Sequence, residues 1–243
     1  MIKINCDIGE REPDNKVDIE LMKYIHIANI ACGGHAGDDE TVSVFRHLAK
    51  EHNVEVAAHL SYPDRENFGR VSMAISQEEL GKSLDEQYQL MPDVKMVKFH
   101  GGLYNDCSAD AALADYLSQW LSVNGIDRII TPEKAELAIA ASVKGIQVVP
   151  EAFAERTYDY NPSTERLSLV NRKKSYACIH DCDDAVRHSD NILNKGFVEA
   201  YIEADDGTSR IENISISAET ICIHSDSEIA LELAQKLASL NKK

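Results

Sequence analysis

The 243-residue sequence has no apolar run approaching the 18 residues that would mark a membrane span. Its start, Met1-Ile2-Lys3-Ile4-Asn5, lacks the pattern of a secretory leader and reads as a strand. The expectation is a cytoplasmic chain with no membrane partner. Basic residues are scarce too. Lys and Arg number 25 against 41 Asp and Glu, a formal charge of -16. That balance argues against nucleic acid or an anionic membrane as a general partner and leaves room only for a local basic pocket. No Cys-x-x-Cys pair occurs among the six cysteines, which read as free thiols and small buried hydrophobes. Cys178-Ile-His180-Asp-Cys182 is too compressed for a standard zinc spacing. G-x-G-x-x-G, G-x-S-x-G and H-E-x-x-H are absent. Gly81-Lys82-Ser83 resembles the end of a phosphate loop, but Ser76 stands where a leading glycine is required and the segment reads as helix.

What is present is ordinary globular composition, with 44% apolar and 27% charged residues, arranged as strands alternating with helices. Strands are expected at Ile2–Cys6, Ile27–Cys32, Val54–His59, Lys95–His100, Arg128–Thr131, Ile146–Pro150, Tyr176–His180 and Thr220–His224. Helix signals lie between most of them. Asp38 can cap a helix over Thr41–His52, and Ser76-Gln-Glu-Glu79 is a capping box. Thr131 can cap with Pro132 in the first turn and Gly145 beyond the end. Ser225-Asp-Ser-Glu228 opens a last helix with Ile229, Leu233, Leu237 and Leu240 on one face. The alternation implies parallel strands. It fits one α/β domain over residues 1–243, an irregular seven- or eight-stranded (β/α) barrel, better than a doubly wound sheet. Two stretches, Tyr62–Met73 and Arg156–Lys174, read as long arginine-bearing loops.

The strand ends carry the chemistry. They run into Asp7, into Gly33-Gly-His35, and into His59, His100, Glu151 and His224. In a parallel barrel these ends share one rim, where βα loops build active sites. Each residue has a plainer use: Asp38 and Asp226 can be helix caps, and Glu151 can pair with an arginine. Coincidence at a single rim favours function. His26, His47, His52 and His188 lack that placement and read as surface or helix-packing residues.

At these same positions the chain resembles the LamB/YcsF family. The matching blocks are Ile4-Asn-Cys-Asp-Ile-Gly-Glu10, Ala28-Asn-Ile-Ala-Cys-Gly-Gly-His-Ala-Gly-Asp38, Ala58-His-Leu-Ser-Tyr-Pro-Asp64, Asn67-Phe-Gly-Arg70, Val97-Lys-Phe-His-Gly-Gly-Leu-Tyr-Asn105, Glu151-Ala-Phe-Ala-Glu-Arg156 and Ile221-Cys-Ile-His-Ser-Asp226. Gly34, Leu60-Ser61, Phe99 and Ser225 stand where the family pattern has an aromatic, Pro-Gly, proline and glycine, which marks a divergent member. The resemblance implies a barrel related to the glycoside hydrolase/deacetylase group. It further implies the A component of a 5-oxoprolinase, opening the 5-oxoproline (pyroglutamate) lactam to L-glutamate with ATP and with B and C subunits.

The expected site follows. Asp7, His59 and His100 converge and can hold a divalent metal, one carboxylate and two imidazoles suiting zinc. Glu151, His35 and His224 serve proton transfer, with Asp226 orienting His224. Arg70, Lys98 and Arg156 form a clamp for a substrate carboxylate, and Tyr104 and Asn105 join them in substrate binding. The competing readings are a metal-dependent deacetylase-like hydrolase of another amide and a non-catalytic module that binds a lactam or carbohydrate.

Overall fold

A computed structural model of the chain describes residues 3–203 and 209–240. Ile2, the first residue of the first expected strand, lies outside them. In chain order the strands are β1 (Lys3–Ile8), β2 (Ile27–Ala31), β3 (Glu55–Leu60), β4 (Met96–Phe99), β5 (Arg128–Thr131), β6 (Gln147–Phe153), β7 (Tyr158–Asn161), β8 (Arg166–Leu169), β9 (Phe197–Glu203), β10 (Ser209–Ser215) and β11 (Thr220–His224). The helices are α1 (Lys16–Leu21), α2 (Asp39–His52), α3 (Gln77–Tyr88), α4 (Gly101–Ala109), α5 (Ala111–Val123), α6 (Glu136–Val143), α7 (Cys182–Lys195) and α8 (Ala230–Leu240). Seven strands close into a barrel in the order β1-β11-β6-β5-β4-β3-β2. Every pairing in it is parallel.

Local signals explain much of this. Asp38 caps α2 through the Thr41 N–H, and Asn53 ends that helix in a left-handed turn. Ser76 and Glu79 form the reciprocal capping box of α3. Along each barrel strand alternate side chains point inward. At the amino ends these are Ile27, Ala57, Met96, Ile130 and Val149, a small apolar cluster separate from the main core. Toward the carboxyl ends the inward residues turn polar: Asn5, Asp7, Asn29, His59, Lys98 and Glu151 are all buried. The barrel interior is therefore closed by hydrocarbon at one end and polar at the other.

Four expectations are corrected. Arg156–Lys174 is not a loop: it contains the β7–β8 hairpin, whose Tyr-Asp-Tyr-Asn and Arg-Leu-Ser-Leu runs alternate with period two. Together with β9 and β10 it forms a second sheet in the order β10-β9-β7-β8, and the sequence signals mark no strand at Phe197–Glu203 or Ser209–Ser215. Tyr176–His180 is not a strand and contributes a single bridge, Cys178 to Arg156. Thr131 does not cap α6; it remains in β5 opposite Pro150, and the helix starts at Glu136 after a turn. Ser225–Glu228 is likewise spent on turns, with Ser227 N–H donating to the His224 carbonyl, so α8 begins at Ala230.

The loop at 62–73 is pinned over the barrel by close backbone approach. Gly101 sits at φ +56, and a Cβ there would lie 2.4 Å from the Gly69 carbonyl oxygen. Gly102 N–H donates to that same oxygen. Only glycine permits this contact, and it is what holds Phe68 against the strand ends.

Candidate active site

Four side chains meet where β1, β2, β3 and β4 end. Glu10 follows β1, His35 follows β2, His59 is in β3 and His100 follows β4. Their ligand atoms all lie within 4.8 Å of one another. Glu10 Oε1 is 2.9 Å from His35 Nε2, 3.2 Å from His100 Nδ1 and 3.7 Å from His59 Nε2. His59 Nε2 and His100 Nδ1 are 3.0 Å apart. Ligand atoms on a tetrahedral zinc with bonds near 2 Å stand about 3.3 Å from one another, so these spacings bracket that geometry.

The outer nitrogens make the case sharper. His59 Nδ1 faces the Lys98 carbonyl at 3.1 Å and His100 Nε2 faces the Phe68 carbonyl at 3.0 Å. A carbonyl only accepts, so those nitrogens carry the hydrogens. In neutral rings the inner nitrogens then present lone pairs to each other at 3.0 Å. Two facing lone pairs need a proton or a cation between them. Orientation of a ligating imidazole by an outer acceptor is how metal sites are built. Burial first, and then the neighbouring His35 and His59, hold His100 well below the usual imidazole range. Burial and His59 do the same for His35. Those two rings are thus neutral, as ligation requires. Burial pulls the His59 imidazole down, but Asp7 and Glu10 outweigh it and raise that ring, so that a proton on its Nε2 bridges the pair when no cation does. Phe68 covers the cluster, edge-on to His35 and His100 with centroids at 5.2 and 5.5 Å. Its φ of +54 is left-handed, a strained conformation for a bulky residue.

Asp7 sits beside this group and does not replace it. Its Oδ2 is 3.3 Å from His59 Nε2. Its Oδ1 accepts from Asn29 at 2.8 Å and Lys98 at 3.0 Å. Burial pushes the Asp7 carboxyl up, but His59 and Lys98 outweigh it and hold it well below the usual range. Lys98 is buried and faces Glu151 Oε1 at 2.8 Å. Burial pulls its ammonium down, and the surrounding Asp7, Cys222 and Glu151 more than reverse that. Asp7, Cys222 and His224 form a second close trio, but the Lys98 ammonium already stands against two of its members, 3.1 Å from Cys222 Sγ. Of the expected ligands Asp7, His59 and His100, the close cluster holds His59 and His100 together with Glu10 and His35, and Asp7 stands at its side.

On the other side of Asp7, His224 stacks on Phe153 at 5.5 Å. Its Nδ1 donates to Glu155 Oε1 at 2.5 Å, and that oxygen also accepts the His224 backbone N–H. Asp226 does not orient His224; it pairs instead with Arg70 at 2.9 Å. Arg156 does not point at a ligand either. Its Nε donates to the Ala177 carbonyl and its Nη2 to the Val170 carbonyl, tying two chain segments together. Arg70 lies over the Phe68 ring at 4.9 Å, at the edge of the site. The Tyr104 hydroxyl donates to Glu151 Oε2 at 2.9 Å, while Asn105 lines a neighbouring cavity. Glu10 and Glu155 escape the reading of strand ends, although both stand inside the blocks that carry the resemblance.

A model of the LamB/YcsF family matches residues 2–243. The chain belongs to the LamB/YcsF family. Curated relatives include a protein from Oceanobacillus iheyensis, named as the A component of 5-oxoprolinase, 36% identical over 98% of this chain and 91% of its own length. Another of the same name, from Alkaliphilus metalliredigens, is 33% identical over 97% of this chain and 91% of its own length. The crystal structure of the lactam utilization protein from Thermus thermophilus superposes with a TM-score of 0.79 at 27% identity, covering 99% of this chain and 96% of that one. The family carries the parallel (β/α) barrel described above.

Proposed function

We propose that this chain is the lactam-opening component of an ATP-dependent 5-oxoprolinase, working in the cytoplasm with B and C subunits to turn 5-oxoproline into L-glutamate. The names of the relatives support the class of reaction. The observation that carries the reading is the bridge made by Asp7 between the four-ligand cluster and the Glu155–His224 pair. A site for an electrophile-activating cation and an oriented base thus stand together in one barrel mouth.

Opening the lactam forms a bond from water oxygen to the carbonyl carbon and breaks the ring C–N bond, with a proton passing from water to nitrogen. His224, its Nδ1 hydrogen committed to Glu155, presents Nε2 to take the water proton and later to give it to the leaving nitrogen. Glu155 stabilises the imidazolium between those events. Glu10, His35, His59 and His100 would hold a divalent ion, which would supply Lewis acidity by expanding its coordination beyond these four ligands. Arg70 meets the substrate carboxylate by exchanging Asp226 for it. With no phosphate loop in the sequence, ATP is consumed with the partners, and coupling makes opening of an unstrained ring effectively one-way.

The cluster favours one second reading, a metal-dependent hydrolase of a different amide that needs no nucleotide. Glutamate release from 5-oxoproline distinguishes them, measured with and without ATP and with and without the partner subunits. Release only when both are present is expected. Rapid release by the chain alone without ATP would sink the coupled reading.

A further inference from the structure

A cavity of about 490 Å³ opens beside Glu151, between the barrel and the second sheet. Its floor is Tyr104, Glu151, Phe153 and Tyr158, all buried. Leu167 and Leu169 of β8 form one wall and Ile214 of β10 another. The volume lies in the range of sites for drug-sized molecules and is several times that of a small lactam. It borders the candidate site through Glu151, whose buried carboxylate meets Lys98 and Tyr104, and through Phe153, on which His224 stacks. Charge excludes one obvious occupant. The charged lining residues are Glu133, Glu151 and Glu165 against Lys134 and Arg166, and Arg166 is held by Glu136. A nucleotide triphosphate would face more acid than base there. Hydrocarbon and aromatic surface make up much of the remaining wall, which suits an uncharged group.

Resting on the amide-hydrolase reading above, we propose that this cavity is a subsite for an uncharged apolar substituent, so that the site accepts amides and lactams larger than 5-oxoproline. Glu151 and Tyr104 mark the end nearest the reacting amide, and Leu167, Leu169 and Ile214 cover the substituent. The hairpin that forms the wall then sets substrate size.

Calorimetric titration of the full chain with 1-benzyl-2-pyrrolidinone and with unsubstituted 2-pyrrolidinone tests this. The benzyl compound is expected to bind at least tenfold more tightly. Leu167→Trp and, from the opposite wall, Ile214→Trp fill the cavity and should each remove that preference while leaving binding of 5-oxoproline unchanged. Two variants on separate strands guard against misfolding of either. Equal binding of the two lactams overturns the proposal, as does a benzyl preference that survives both substitutions or is displaced competitively by ATP. Failure of 5-oxoproline turnover alongside a tryptophan-sensitive benzyl preference would discard the 5-oxoproline assignment and keep the subsite.

Discussion

His59 and His100 each spend one nitrogen on a backbone carbonyl, which fixes where the other must point. That pair gives the most direct test of the cation site. Purified protein should bind about one equivalent of zinc or a similar ion by elemental analysis, and Glu10→Gln or His59→Gln should weaken it by roughly tenfold or more. Glu155→Gln should lower turnover of the assembled enzyme by roughly 10²–10⁴-fold with the substrate KM little changed, because the amide still fills space but no longer stabilises the imidazolium. Glu155→Gln should shift the pH profile more than Asp226→Asn, because Glu155 bonds the His224 imidazole directly whereas Asp226 acts on it only through its charge. A different histidine reports on folding. Burial brings the His188 imidazole down from 6.5 to about 4, and its Nε2 has no partner among the described residues. The neutral ring contributes in full above pH 6.5. That contribution is lost as the pH falls from 6.5 toward 4, where the unfolded chain takes the proton first, and it amounts to roughly 3 kcal/mol. Stability to urea should therefore fall steeply across that window for wild type and less so for His188→Leu.

At the scale of elements, the barrel is readable wherever apolar runs end in turn chemistry. Asp38 and the Ser76–Glu79 box act as caps as their spacing implies, and Ser76→Ala should cost about 1 kcal/mol by thermal or urea unfolding. Thr131 and Ser225 carry the same chemistry yet serve a strand and a turn, because pairing with the neighbouring strand decides where a helix can begin. The second sheet is hidden for a related reason. β7 and β8 are only four residues each and β10 is exposed along nearly all its length, so these strands lack the continuous apolar signal of a buried parallel strand. The partner of His224 illustrates what a single sequence withholds. Asp226 is two residues away on its own strand end, while Glu155 is sixty-nine away. Pairing of Thr220 with Glu151 and Cys222 with Phe153 carries His224 to the level of Glu155. Inter-strand register decides the choice, and register is a property of the sheet.

For the whole molecule, the coincidence of histidines and carboxylates at one rim is legible because a parallel barrel gathers every strand's carboxyl end in one place. Which carboxylate completes the cluster is not, since Glu10 lies beyond the end of β1 and reaches back over a glycine at φ +74. The buried Lys98 ties the two halves of the mouth together through Asp7 and Glu151. Lys98→Met should destabilise the fold by about 3–5 kcal/mol by leaving both carboxylates buried without their cation, read as a shift in the denaturant midpoint.

The hydrocarbon plug of Ile27, Ala57, Met96, Ile130 and Val149 makes the barrel a vessel with one opening. Whatever enters by the polar mouth must leave by it, since nothing drains through the apolar floor. Traffic is then single-file: a departing product stands in the path of the next arrival. Product should accordingly inhibit as a competitor of substrate, and any segment that crowds the mouth, such as the loop bearing Phe68 and Arg70, governs release as well as entry.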